Sequence, residues 1–320
     1  MTDETCTIVM YHYVRDLDRS RYPEINALKT SEFEFQLDYL ESEYTFVSMS
    51  DLQAAIYDGV ELPSNPVLLT FDDGFLDHYT TVFPRLRERG IEGVFFPPTE
   101  PILSDTVLNV HKIHFILANV SDNDALLESV FNRLDSYREQ YDLESNQTYF
   151  DSLAEAGRWD PAEIIFVKRL LQRELDYEVR SAIIDDLFAE YVDVSESVLS
   201  EELYMQPIHL RTMIESGMSI GSHGATHRWL DSLSADEQRR EIDKSVEFLD
   251  SLGASTDDWA ICYPYGSYNS MTLDLLQETD YSIGLTTEVD EASLTEQNAL
   301  TLERLDTNDL PQSPDDLNTS

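Results

Sequence analysis

Two short runs of residues carry the chemistry open to this chain. Asp72 and Asp73 follow the apolar run 68–71 and precede Gly74, while His223-Gly224-Ala225-Thr226-His227 sets two imidazoles four residues apart. Neighbouring residues on a strand point to opposite faces, so at a strand end one acid can face a metal ion while the other turns toward a bound water. Gly74 permits a sharp turn or a close backbone approach. The same Asp-Asp-Gly would also serve as a turn closing a buried strand, and the acids alone do not separate the two readings. Histidines at i and i+4 lie on one side of a helical turn, a spacing that lets both reach one ion. Two neutral imidazoles plus one carboxylate suit zinc or a similar divalent ion and leave positions for water and substrate. A lone H-x3-H would prove little; a strand-end acid pair and a strand-end histidine pair in one alternating chain reinforce each other.

The elements that must hold these residues alternate between short apolar runs and helical patterns, the signature of parallel βα units. Strands are expected at 7–11, 67–71, 93–96, 218–221, 260–263, 281–285 and 300–305. Helices are expected from capping boxes at Ser31, Ser50 and Ser234, with stops at Gly59, Gly90 and Gly253. From 103 to 206 the sequence turns acidic and helical, including a helix begun by Pro161, and reads as an inserted subdomain or lid. The expected division is a barrel from 1–102 and 207–310, a helical insertion at 103–206 and a flexible tail at 311–320.

The 320 residues include 63 acids against 21 bases, a net charge of −42, with 42% hydrophobic residues. Such self-repulsion destabilises a compact chain in dilute salt, but at molar salt the Debye length falls to about 3 Å and screens it, so the balance fits a halophile's protein. No Lys/Arg cluster offers the basic patch that phosphate contacts require, which excludes a nucleic-acid binder. Periodic apolar residues among the acids exclude a disordered acidic chain. The N-terminal residues lack the charged and apolar regions of a secretory signal, and no apolar run approaches a membrane span, so a soluble cytoplasmic protein is expected. Cys6 and Cys262 are too few for a disulfide framework and read as reduced core residues.

Thr70-Phe71-Asp72-Asp73-Gly74, His223-x3-His227 and Tyr263-Pro264-Tyr265-Gly266 resemble, in order, the first three motifs of the polysaccharide deacetylases (NodB-homology, carbohydrate esterase family 4). The resemblance spans about 65 to 290 and implies an α/β fold, a distorted (β/α) barrel interrupted by the helical insertion. It implies that Asp73, His223 and His227 hold a divalent metal, most simply Zn2+, and that Asp72 is the general base. It also implies that the backbone N–H of Tyr265 donates to the developing oxyanion. Such a set activates a water, polarises an acetamide carbonyl and releases an amine that a general acid protonates.

Three departures stand out. Gly224 replaces the Ser or Thr that follows the first histidine in the family. Cys262 occupies the place of an arginine that orients the base, for which Arg304 is the candidate substitute. The family's C-terminal Leu-x-x-His is absent, since no histidine follows His227. His12, at the expected C-terminal end of the first strand, resembles the Tyr-His of the branch acting on β-1,6-linked N-acetylglucosamine polymers and is the candidate acid or substrate contact. His111 and His114 read as structural over metal-binding, His78 as a helix-surface residue over a substrate contact, and Trp229 as a sugar-packing or core aromatic, while His209 carries no signal. The expected activity is removal of acetyl groups from N-acetylated sugars of a glycan or glycan precursor. The alternatives are hydrolysis of a non-sugar amide or cyclic imide, and non-catalytic sugar binding; the retained Asp72 argues against the last, because a binder needs no base.

Overall fold

The computed structural model describes residues 5–157, 160–254, 259–279 and 281–318, and divides into two compact units. The first comprises the chain up to Asp16, Ala27–Thr106 and the chain from Ser200 onward; the second comprises Leu17–Asn26 and Val107–Leu199.

The first unit is built on strands β1 (Thr5–Tyr11), β2 (Thr45–Phe46), β3 (Pro66–Asp72), β4 (Gly93–Phe96), β5 (Ser219–Ile220), β6 (Trp259–Cys262), β7 (Tyr281–Leu285), β8 (Ala292–Ser293) and β9 (Leu305–Asp306). β1 pairs in parallel with β3, β3 with β4, β4 with β5, and β6 with β7. Two single parallel bridges, Ser222 to Ile261 and Leu285 to Leu302, join these segments. β9 then returns beside β1 in parallel, with Val9 opposite Leu305, and the cylinder closes. β2 lies parallel against β3, and the antiparallel β8 caps the start of β1.

Strands covered on both sides read as continuous apolar runs, and these do: β1 from Cys6, β4, β6 and β7 are buried throughout. One strand face supplies a single buried cluster that includes Ile8, Leu68, Phe96, Cys262, Leu285 and Leu302. The other face carries the row Tyr11, Phe71 and Phe95, stacked at 5.1 and 4.7 Å, with Phe33 of helix α1 (Thr30–Glu43) packed edge-on against Tyr11. Because parallel strands all point one way, their C-terminal ends share one rim, and the loops after β1, β3, β4, β5 and β6 meet there.

Helix starts differ from the sequence expectation in two places. α1 is capped at Lys29, whose N–H donates to Glu32, and the next helix at Ser48, whose hydroxyl accepts from the N–H of Asp51. In each case the reciprocal acid stands three residues after the earlier cap, which selects the earlier start. Helix α2 (Phe83–Arg89) ends at Gly90 as expected, and α3 (Thr99–Leu103) follows β4. α4 (Ala235–Leu252) starts at the expected Ser234 box and ends at Gly253.

The second unit is helical, with segments Asn109–Asn119, Asn123–Tyr137, Asn146–Leu153, Ala162–Arg169 and Tyr177–Tyr191 packed through Ile113, Leu134, Phe166, Ile183 and Leu187. Its buried Lys112 is neutralised by Asp185 at 2.6 Å and Glu196 at 2.8 Å. Among the described residues no helix is long and apolar enough to cross a membrane.

Candidate metal centre and active site

β3 carries Asp72 in extended backbone, after which the chain reverses at Asp73 and Gly74, whose φ angles are 73° and 67°. A Cβ on Gly74 would lie 2.8 Å from Cβ of Pro97, so the turn is too tight for any side chain there. Of the four non-glycine residues with left-handed φ among the described residues, Asp73, His227 and Tyr265 belong to this rim, and only Asn65 lies elsewhere. L-residues avoid that region, and such conformations persist where the surroundings over-determine them, typically at functional sites.

Asp73, His223 and His227 converge. Oδ1 of Asp73 lies 3.4 Å from Nε2 of His223 and 3.3 Å from Nε2 of His227, and the two Nε2 atoms are 3.1 Å apart. Ligands about 2.1 Å from a tetrahedral zinc stand roughly 3.3–3.4 Å from one another, so this nearly equilateral triangle has the edge such an ion needs. The donor set, two imidazole nitrogens and one carboxylate oxygen, suits it chemically. Nδ1 of His223 donates to the carbonyl of Cys262 at 2.8 Å. A carbonyl only accepts, so the proton sits on Nδ1 and the Nε2 lone pair is turned to the triangle. Burial disfavours positive charge at His223, but its contact with Cys262 and the carboxylates of Asp73 and Asp72 outweigh it and raise its pKa, so Nε2 is set to hold a positive charge, a proton's or a metal's. The pocket thus favours positive charge between these groups.

Asp72 sits behind the triangle, 1% exposed, in a two-point ion pair with the fully buried Arg304. The Cys262 thiol donates to the same Oδ2 at 3.2 Å, and Nη2 of Arg304 donates to Sγ at 2.9 Å. Burial raises the thiol's pKa, which keeps it a donor. Arg304 is held in turn by Nε–H to the carbonyl of Thr286 and Nη1–H to the hydroxyl of Thr70. Burial alone would raise the pKa of Asp72, but Arg304, then the charge of His223, outweigh it and bring it down to about 2. Asp72 is therefore ionised at neutral pH and its plane is fixed.

Around this pair the remaining sequence candidates are placed as follows. Tyr265 stacks on Trp229 with ring centroids 4.3 Å apart and planes 2° from parallel, and meets His227 edge-on at 4.7 Å. His12 follows β1 at the same rim, half-buried. His78 is not on a helix surface: it is fully buried, donates from Nε2 to the carbonyl of His12 at 2.8 Å, and packs against Phe71, Phe75 and Phe95. Its ring faces Phe71 of β3 and Phe95 of β4, so position 78 points inward. Burial brings its pKa down to about 4. His111 and His114 lie 5.8 Å apart, centroid to centroid, in the second unit, and His209 stacks on Tyr79.

Two contributors were not legible as such. Cys262 has the composition of core filler, yet its thiol and carbonyl touch Asp72 and His223 respectively; its signal is its place beside the third motif. Glu241 carries one signal, an acid on the inward face of α4 among Gln238, Ser245 and Leu249, where acids are rare.

Comparison with known proteins supports the same picture. The family model described as Polysaccharide deacetylase matches residues 183–284, which include both histidines and Tyr265 but not the acid pair. YxkH of Bacillus subtilis (strain 168), which carries the same family name, is 34% identical over 84 residues, 26% of this chain and 30% of that one. The chain thus matches under a third of that relative's length. Among solved structures, the Streptococcus pyogenes deacetylase PplD in complex with acetate superposes with a TM-score of 0.60 at 21% identity, covering 99% of this chain and 98% of that one. IcaB from Ammonifex degensii follows with a TM-score of 0.53 at 20% identity, covering 98% and 93%. The BpsB deacetylase domain from Bordetella bronchiseptica gives 0.53 at 19% identity, covering 94% and 95%. At these identities the superpositions establish the (β/α) barrel fold.

Proposed function

We propose that this chain, which matches the polysaccharide deacetylase family model over residues 183–284, is a metal-dependent hydrolase that removes acetyl groups from N-acetylated sugars of a glycan or glycan precursor. The observation that carries this reading is an ionised, Arg304-fixed carboxylate directly behind a three-ligand triangle of zinc dimensions. Asp73, His223 and His227 would hold the ion, which when bound lowers the pKa of a water and polarises the amide carbonyl.

The chain's own residues do the rest. Asp72 accepts the proton of the attacking water; its rigid pairing with Arg304 and Cys262 aims one carboxylate and spares it reorientation during the reaction. The backbone N–H of Tyr265 donates to the carbonyl oxygen as negative charge develops there. His12 delivers a proton to the departing sugar nitrogen as the C–N bond breaks, so acetate and a free amine leave. Zinc is the native ion in this reading. The acidic surface suits high salt, where its self-repulsion is screened.

The test is an acetate-release assay at molar salt on N-acetylglucosamine oligomers, using protein stripped with chelator and reloaded with zinc. Release that depends on zinc and disappears in Asp72→Asn, with sugar binding retained, supports the reading. No release from any N-acetylhexosamine substrate, with Asp72→Asn binding the same sugars unchanged, would sink it.

A further inference from the structure

The segment joining the two histidines is gripped from outside. We propose that Glu241 is a positioning residue for the histidine pair: a buried carboxylate on α4 that fixes the backbone of the 223–227 loop and so presets the separation of the two imidazoles. The inference rests on the metal reading above.

Glu241 is 7% exposed, and a carboxylate taken out of water needs strong partners. Its Oε2 accepts the N–H of Ala225 at 2.9 Å and of Thr226 at 2.8 Å, and its Oε1 accepts the Thr226 hydroxyl at 2.7 Å. All three bonds go to the residues between His223 and His227. From the other side, the N–H groups of Thr99 and Glu100 at the start of α3 donate to the carbonyls of Gly224 and Ala225 at 3.2 and 2.8 Å. The loop is clamped through its amides by one helix and through its carbonyls by another.

Two details show what the clamp opposes and where it acts. His227 directly follows the clamped residues in left-handed backbone, φ 54°, a conformation that relaxes unless its neighbours forbid it. Relaxation would swing its imidazole away from the 3.1 Å approach to His223. At Gly224, φ is 71° and a Cβ would lie 3.4 Å from Oε2 of Glu241 and 3.4 Å from Cγ of Pro264. A Cβ there would sit in ordinary contact with Glu241, so the carboxylate holds the loop from the side on which a side chain at 224 would begin.

The test reads metal affinity directly. Zn2+ is titrated into chelator-stripped wild type, Glu241→Ala, Glu241→Gln and Thr226→Val in competition with a chromogenic chelator, alongside metal-free melting curves. Removing a group that orients metal ligands typically weakens affinity about 10–100-fold, and that loss is expected for Glu241→Ala. Glu241→Gln should stay within a few-fold of wild type, because its amide oxygen accepts the two N–H groups and its NH2 donates to the Thr226 hydroxyl. Thr226→Val, which loses one of the three bonds, should fall between them. Unchanged zinc affinity in Glu241→Ala, with only a lower melting temperature, would make Glu241 a purely structural residue and overturn the proposal. Should Glu241→Ala not fold, wild-type affinity in Thr226→Val overturns it equally. Wild type that binds no zinc removes the metal site itself, and this inference with it, a result distinct from equal binding by all four proteins.

Discussion

Arg304 and Asp72, 232 residues apart in sequence, meet inside the barrel in a two-point ion pair, Nη1 to Oδ1 at 3.0 Å and Nη2 to Oδ2 at 2.8 Å. Arg304 enters from the segment leading into β9, across the cylinder's closing seam from β3. Such a pair gives Asp72 both its charge state and its orientation.

Arg304→Met leaves that carboxylate buried without its cation. Breaking a buried pair in this way costs about 3–5 kcal/mol, to be read from chemical denaturation. Asp72, whose pKa now lies near 2, should titrate at higher pH once burial is unopposed. The acid limb of the kcat/KM profile should accordingly move up in pH. Unchanged stability and an unmoved limb would show that Arg304 does not govern the base.

His12→Ala should lower kcat about 10²–10⁴-fold, the usual span for a lost general acid, with little change in zinc affinity. Substrates whose leaving group needs no protonation should suffer least. Wild-type turnover in this variant would return His12 to a structural role.

His78 makes stability depend on pH. Its pKa falls from 6.5 to about 4 on folding, so between those values the unfolded chain holds a proton that the native chain lacks. Stability is therefore full above 6.5 and declines as pH drops toward 4, by about 3 kcal/mol from this group. Denaturant midpoints at pH 7 and pH 5, compared between wild type and His78→Asn, check it: the variant should lose part of the acid sensitivity.

Trp229 backs the ring of Tyr265, whose left-handed backbone presents the proposed oxyanion donor. If that stack holds the backbone, Trp229→Ala should lower kcat about tenfold or more at nearly constant KM, whereas Tyr265→Phe, which keeps both ring and N–H, should be close to wild type. A rise in KM alone would make Trp229 a sugar contact instead.

The net charge of −42 predicts a melting temperature that falls steeply between about 2 M and 0.1 M KCl as screening is lost. A cooperative melt indifferent to desalting would contradict the halophile reading.

The βα alternation, most strand positions, the stops at Gly90 and Gly253, and the pairing of an acid motif with a histidine motif were all written locally. Each depends on a period, a glycine or a spacing of a few residues, which a linear string records. What the string does not record is which distant groups share a volume. That the candidate Arg304 engages both oxygens of Asp72, that the Cys262 thiol joins them, that His78 turns inward beneath His12, and that Glu241 grips the loop between His223 and His227 were decided only when the barrel closed. Closure brings β9 back to β1 and α4 against the rim, and contacts made across 15 to 232 residues leave no periodic trace in either partner.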